Sequence, residues 1–140
     1  MKTLVLHVTS HWFNMISSDL KTEEYREITP YWVKRLLKPE FSDSFTKSDW
    51  LAYLATFNLS QESFKKLTKR YLIVGKLSPI QYDVVDFVLG YPKEPAPEKH
   101  YYALFAATWL KKPRPGWAPP AFLNHHYLTI FLQDSINNVL

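Results

Sequence analysis

Residues 3–8, TLVLHV, form a β-branched and apolar run that predicts a buried strand. The period then changes. Trp12, Phe13 and Ile16 recur at helical spacing, so a helix is expected from Thr9 or Ser10, either able to cap it, to about Ser18. Asp19 and Leu20 make a turn, and residues 23–27 predict a short strand, too short and too poorly flanked for a stable helix. Thr29 is placed to cap a helix with Pro30 at its first position; this helix covers residues 31–37 and is closed by Pro39. After a loop, Trp50, Leu51, Leu54 and Phe57 mark one side of a third helix. Ser60 opens a fourth, with Phe64, Leu67, Tyr71 and Leu72 as its apolar set and Gly75 as its stop.

From Tyr82 the chain returns to strand patterning. YDVVDFVLGY, YYALFAATWL and HHYLTIFLQ read as three strands, separated by a proline-rich loop and by a basic, aromatic one. DSINNVL, residues 134–140, reads as a tail. Strands at both ends with helices between them predict an α+β fold with a strongly bent or closed sheet.

The 140 residues suit one domain over 1–140, and 46% hydrophobic content is enough for a real core. Aromatics reach 16%; large rings bury much area, and they also stack on bases. A formal charge of +4 mildly favours a polyanionic partner. The absence of cysteine excludes disulfides, thiolate metal sites and cysteine nucleophiles. With Gly 3 in the chain, glycine-rich phosphate cradles and dinucleotide fingerprints are absent, and no cofactor is expected. No stretch approaches the roughly 20 apolar residues of a membrane span. The first apolar run is short and meets His7, Thr9 and Ser10, so it reads as a strand rather than a leader. A cytoplasmic protein without a membrane partner is expected.

The chemistry concentrates in KTEEYREITPYW, residues 21–32, where five of the first seven side chains are charged. On an extended segment Thr22, Glu24 and Arg26 share one face, and Glu23 and Tyr25 the other. Lys21 sits at the preceding turn, its stem free to reach either side. One reading is a solvated edge strand with cross-strand charge pairs. The other is a charged pocket floor. There Glu24 beside Arg26 would present acceptors to base amines and donors to phosphate or carbonyl oxygens. Lys21 would add a point charge for phosphate, or a general base if burial depresses its pKa.

The order of WFNMI, a lysine, EEYRE and PYW, followed much later by YDVVDFVLGY and GWAPP, resembles the ASCH domain, the activating-signal-cointegrator homology family common in bacteria and their phages. Lys21, Glu24 and Arg26 match its K-x-x-E-x-R core, and Tyr25, Pro30, Tyr31 and Trp32 match one subgroup. The likeness covers about residues 3–40 and 80–135, leaving 41–76 as a helical insertion. The resemblance implies a PUA-like fold: a small, mostly antiparallel β-barrel with helices over one end and a cleft beside the charged strand. It also implies binding of RNA or nucleotides, with some members acting on modified nucleosides or cleaving RNA. The acetylcytidine amidohydrolases of the family pair their lysine with a threonine three residues later. Here that position is Glu24, and a carboxylate cannot serve as the hydroxyl nucleophile proposed there.

Other features are weaker. His125 and His126 are adjacent on a predicted strand, so they point to opposite faces, and no metal site is expected. KKPRPGWAPP carries Lys111, Lys112, Arg114 and Trp117: either cations and a ring for single-stranded nucleic acid, or a proline-stiffened loop whose Trp117 caps the barrel. Lys65, Lys66, Lys69 and Arg70 read as the wet side of an amphipathic helix. The leading expectation is an RNA- or nucleotide-binding module whose cleft is lined by Lys21, Glu24 and Arg26, with Tyr25, Tyr91 and Trp117 as candidate walls. Two alternatives stand beside it. One is a hydrolase of RNA or a modified nucleoside, with Lys21 as general base and Glu24 or Tyr25 as its partner. The other is a protein-interaction domain using the helices of 41–76. The oligomeric state is left open.

Overall fold

The structure, a computed structural model, describes residues 1–135. Of the expected tail, residues 136–140 lie outside the described residues. The β-branched start forms strand β1 (Thr3–Val8), followed by helix α1 (Ser10–Ser17), the charged strand β2 (Glu23–Arg26) and helix α2 (Pro30–Leu36). A short strand β3 (Leu37–Pro39) precedes the long helices α3 (Lys47–Leu59) and α4 (Gln61–Ile73). Strands β4 (Leu77–Pro79), β5 (Val84–Leu89), β6 (His100–Lys111) and β7 (Tyr127–Ser135) complete the order.

Local signals account for the helix ends. The Thr29 hydroxyl accepts from Trp32 N, with Pro30 at the first position of α2. Thr46 and Asp49 form a reciprocal capping box on α3. Ser60 accepts from Ser63 N to open α4, and Gly75, at φ +79°, lets the chain leave it. Thr9 holds the cap position of α1 in extended geometry, without a side-chain cap bond.

The fold is α+β. Among the described residues the main sheet has five strands in the order β1-β5-β6-β7-β2. Only β1 and β5 pair in parallel; the other three ladders are antiparallel. Irregular register in β6 between Ala103 and Ala107 adds local twist. A closed barrel is one expectation of the sequence, but among the described residues no ladder joins β1 to β2 and the sheet is open between them. Side chains span the gap instead. Arg26 Nη2 donates to the His7 carbonyl at 3.1 Å and Arg35 Nη2 to the Val5 carbonyl at 3.1 Å. Edge carbonyls of β1, which a further strand would otherwise occupy, are thus taken by two guanidiniums.

β3 and β4 pair antiparallel as a separate two-stranded ribbon at either end of the helical pair. This pairing went unseen in the sequence, where Pro39 reads as a helix stop. A continuous core unites the parts. It includes Leu4, Leu6 and Phe87 from the sheet, Val33 and Leu36 from α2, Tyr53 from α3, and Phe64 and Leu72 from α4. The inward residue of α3 corrects an expectation: Leu51 is 55% exposed, while Tyr53 is buried. The Tyr53 hydroxyl bonds to Thr68 Oγ1, and its ring stacks on Phe64 at 4.7 Å. A satisfied phenol carries more buried area inward than a leucine can.

Because Phe64 is fully buried in this shared core, Phe64→Ala is expected to cost about 3–5 kcal/mol. Urea unfolding followed by circular dichroism and by tryptophan fluorescence should show one coincident transition at lower midpoint. Separate transitions would mean that α3 and α4 are an independent unit.

Candidate functional site

β2 is an edge strand, hydrogen-bonded to β7 on one side, yet its charges are not in water. Glu23 and Glu24 are 4% and 6% exposed, and Lys21 before them is 2% exposed. The turn after α1 explains the lysine. Asp19 adopts φ +61°, and the Leu20 and Lys21 amides both donate to the Met15 carbonyl, at 2.9 and 3.1 Å. The chain is thereby folded back under α1, and the Lys21 ammonium lies 4.3 Å from the centre of the Trp12 ring.

On this side of the strand the charges converge. Lys21 Nζ donates to Glu24 Oε1 at 3.1 Å, and the same oxygen accepts from Tyr25 N at 2.9 Å. Glu24 Oε2 is 3.8 Å from Arg26 Nη2. Arg26 packs over the Trp32 ring at 4.9 Å, and among the described residues its buried Nε has no hydrogen-bond partner. Burial lowers the Lys21 pKa from its ordinary 10.5; Glu24 opposes that fall through charge and hydrogen bond, and Arg26 adds to it.

These groups border a cavity of about 210 Å³ whose walls include Lys21, Glu24, Arg26, Trp12, Tyr25 and Trp117. His7 and Thr9 also reach it. Trp117 is held there by its own loop: Arg114 stacks over its ring at 4.7 Å, and Ala118, Tyr25 and Tyr127 pack beside it. The site therefore combines a buried cation, a carboxylate, a guanidinium and aromatic surfaces.

The other face of β2 forms a separate network. Glu23 Oε1 accepts from the Tyr25 hydroxyl at 2.8 Å and from Lys111 Nζ at 2.7 Å, and Glu23 Oε2 lies 3.3 Å from Arg114 Nε. The Tyr25 hydroxyl in turn accepts from Arg114 N at 3.1 Å. Burial pushes this phenol upward, so it stays protonated and can donate to Glu23. Two cations of the basic loop are thus tied to Glu23 rather than left free for phosphate.

Of the residues singled out in the sequence, Lys21, Glu24, Tyr25, Arg26 and Trp117 meet at this cavity. Tyr91 does not line it. Tyr91 is 81% exposed and stacks on His7 at 4.2 Å, across Arg26 from the cavity. Sequence reasoning missed Trp12, whose helical spacing signals core, and His7, which sits in an apolar strand. Glu23 also escaped notice as the anchor of the basic loop. No local signal marks these three, because each acts on residues brought near by the fold. His125 and His126 line a different groove, of about 220 Å³, with Lys65, Lys66 and Lys69. No cluster of three or more His, Asp or Glu side chains able to hold a metal ion occurs among the described residues. Nor, among them, is any helix long and apolar enough to cross a membrane.

No family model, curated protein or solved structure matches the chain. The site must be read from its own geometry.

Since Glu24 holds the Lys21 pKa up against burial, Glu24→Gln should lower it further. Carbon-detected titration of the lysine side chains by NMR checks this. A Lys21 pKa that rises or stays fixed in the variant would break the assigned pairing.

Proposed function

We propose that the protein binds RNA or a nucleotide in the Lys21–Glu24–Arg26 cavity, as an ASCH-type module of PUA-like architecture. The observation that carries this reading is the burial of a lysine at the wall of an open cavity. Removing an ammonium from water costs on the order of several kcal/mol, and apolar residues would stabilise the fold as well or better. A cation kept there, beside a carboxylate and a guanidinium, has a use for its charge. The groups suit a nucleotide. Lys21 and Arg26 donate to phosphate or carbonyl oxygens, Glu24 accepts from an exocyclic amine, and Trp117 and Tyr25 offer ring surface to a base. The sequence resemblance points the same way. In the PUA-like reading, the gap bridged by Arg26 and Arg35 is where the barrel would close.

Hydrolysis of RNA or of a modified nucleoside is the second reading, and the lowered Lys21 pKa favours it. A lysine that sheds its proton more easily is a better general base, with Glu24 at 3.1 Å to hold and orient it.

Calorimetry with nucleoside monophosphates and a short RNA tests binding. Arg26→Gln is expected to weaken affinity at least about tenfold, the scale of one charge-assisted contact. Unchanged affinity would remove Arg26 from the site. Affinity should also fall as pH rises toward 10.5, because Lys21 loses its proton below that value and with it the cation. Turnover of RNA or acylated nucleosides above a Lys21→Ala control would establish the hydrolase; none would leave binding alone.

A further inference from the structure

The binding surface continues past Arg26. A second cavity, of about 420 Å³, shares His7 and Arg26 with the first and adds Arg35, Tyr31, Trp32 and Tyr91. We propose that this second cavity is the subsite for an adjoining nucleotide, so that the groove takes a single-stranded oligonucleotide rather than a lone nucleotide. The inference rests on the nucleotide reading of the first cavity.

The chemistry of the two cavities differs in a way that suits this division. The first contains a carboxylate, Glu24, which can read a base amine. Among the described residues the second is lined by no Asp or Glu, but by two arginines, a histidine, aromatic rings and Val5. Both guanidiniums are fixed before any ligand arrives. Arg35 Nη2 is bound to the Val5 carbonyl and Nη1 to the Tyr31 hydroxyl at 2.9 Å, while Arg26 is bound to the His7 carbonyl. Arg26 and Arg35 lie 4.9 and 5.3 Å from the same Trp32 ring. Guanidiniums ordered in this way recognise phosphate with little further loss of freedom. Arg26, common to both cavities, stands where the phosphodiester between two nucleotides would pass.

A stacking platform is in place as well. The His7 Nδ1 donates to the Gly90 carbonyl at 2.7 Å, since a carbonyl can only accept. That bond fixes the imidazole plane. Gly90, at φ +63°, turns the chain so that Tyr91 lies over it, with 13° between the ring planes. Tyr91 is thus held nearly parallel on a fixed ring while most of its surface remains open to solvent. Sequence-tolerant base stacking uses such a face.

The test measures dissociation constants for the four nucleoside monophosphates and for a random-sequence RNA hexamer, single-stranded and as a duplex. The wild type and Tyr91→Ala are compared; this ring is exposed, so its removal leaves the core intact. The single-stranded hexamer should bind more tightly than any monophosphate and more tightly than the duplex. Tyr91→Ala should weaken hexamer binding by about fivefold or more while leaving the monophosphates unchanged. Arg35→Gln should reduce the salt dependence of hexamer binding by about one phosphate contact. If a monophosphate binds but the hexamer binds no tighter, or Tyr91→Ala leaves the hexamer unaffected, the second subsite is wrong and the first stands. Equal displacement of the hexamer by a poly-glutamate peptide would also overturn it, showing a generic anion surface. If neither probe binds the wild type, the nucleotide reading itself falls.

Discussion

An ammonium taken out of water has to be given a carboxylate, and Lys21 is given Glu24 at 3.1 Å. That one pair constrains its whole neighbourhood. Glu24 faces inward only if β2 keeps its extended register against β7, and the same register sends Glu23 and Tyr25 to the opposite face. The lysine reaches Glu24 only because the turn at Asp19 folds the chain back beneath α1 and sets Trp12 against the ammonium. A slip of one residue in β2 would exchange the two faces and leave both charge networks unpaired.

The two networks divide the work. Glu24 holds Lys21 and Arg26 at the wall of a cavity. Glu23 is committed to structure: it gathers Lys111, Arg114 and the Tyr25 hydroxyl, and so pins the loop that carries Trp117. Adjacent carboxylates in the sequence thus have different roles, because alternation along a strand delivers them to different surroundings.

The open sheet edge belongs to the same scheme. A ladder between β1 and β2 would satisfy the edge carbonyls of β1 and leave less room for a cavity there. Arginine side chains satisfy the Val5 and His7 carbonyls while keeping cationic surface at the gap. Edge protection thus falls to the same two residues that line the second cavity.

Local physics in the sequence was enough to specify the helices and the strands of the main sheet, but not the short strands β3 and β4. The caps at Thr29 and Ser60, the stop at Gly75 and the β-branched runs act over a few residues, and each is visible where it acts. Alternation likewise assigned Glu24 and Arg26 to one face and Glu23 to the other. Which face would be buried was not visible, since an edge strand with alternating charges is compatible with water on both sides. Tertiary packing decided that, by setting Trp12 of α1 against Lys21, bringing Trp117 to the same cavity and tying Lys111 and Arg114 to Glu23. It also decided that Trp12 would sit under an ammonium, that β3 would find β4 across two helices, and that Arg26 and Arg35 would reach β1. Each of these contacts joins residues whose meeting depends on how the elements dock, and periodicity along a chain carries no record of docking.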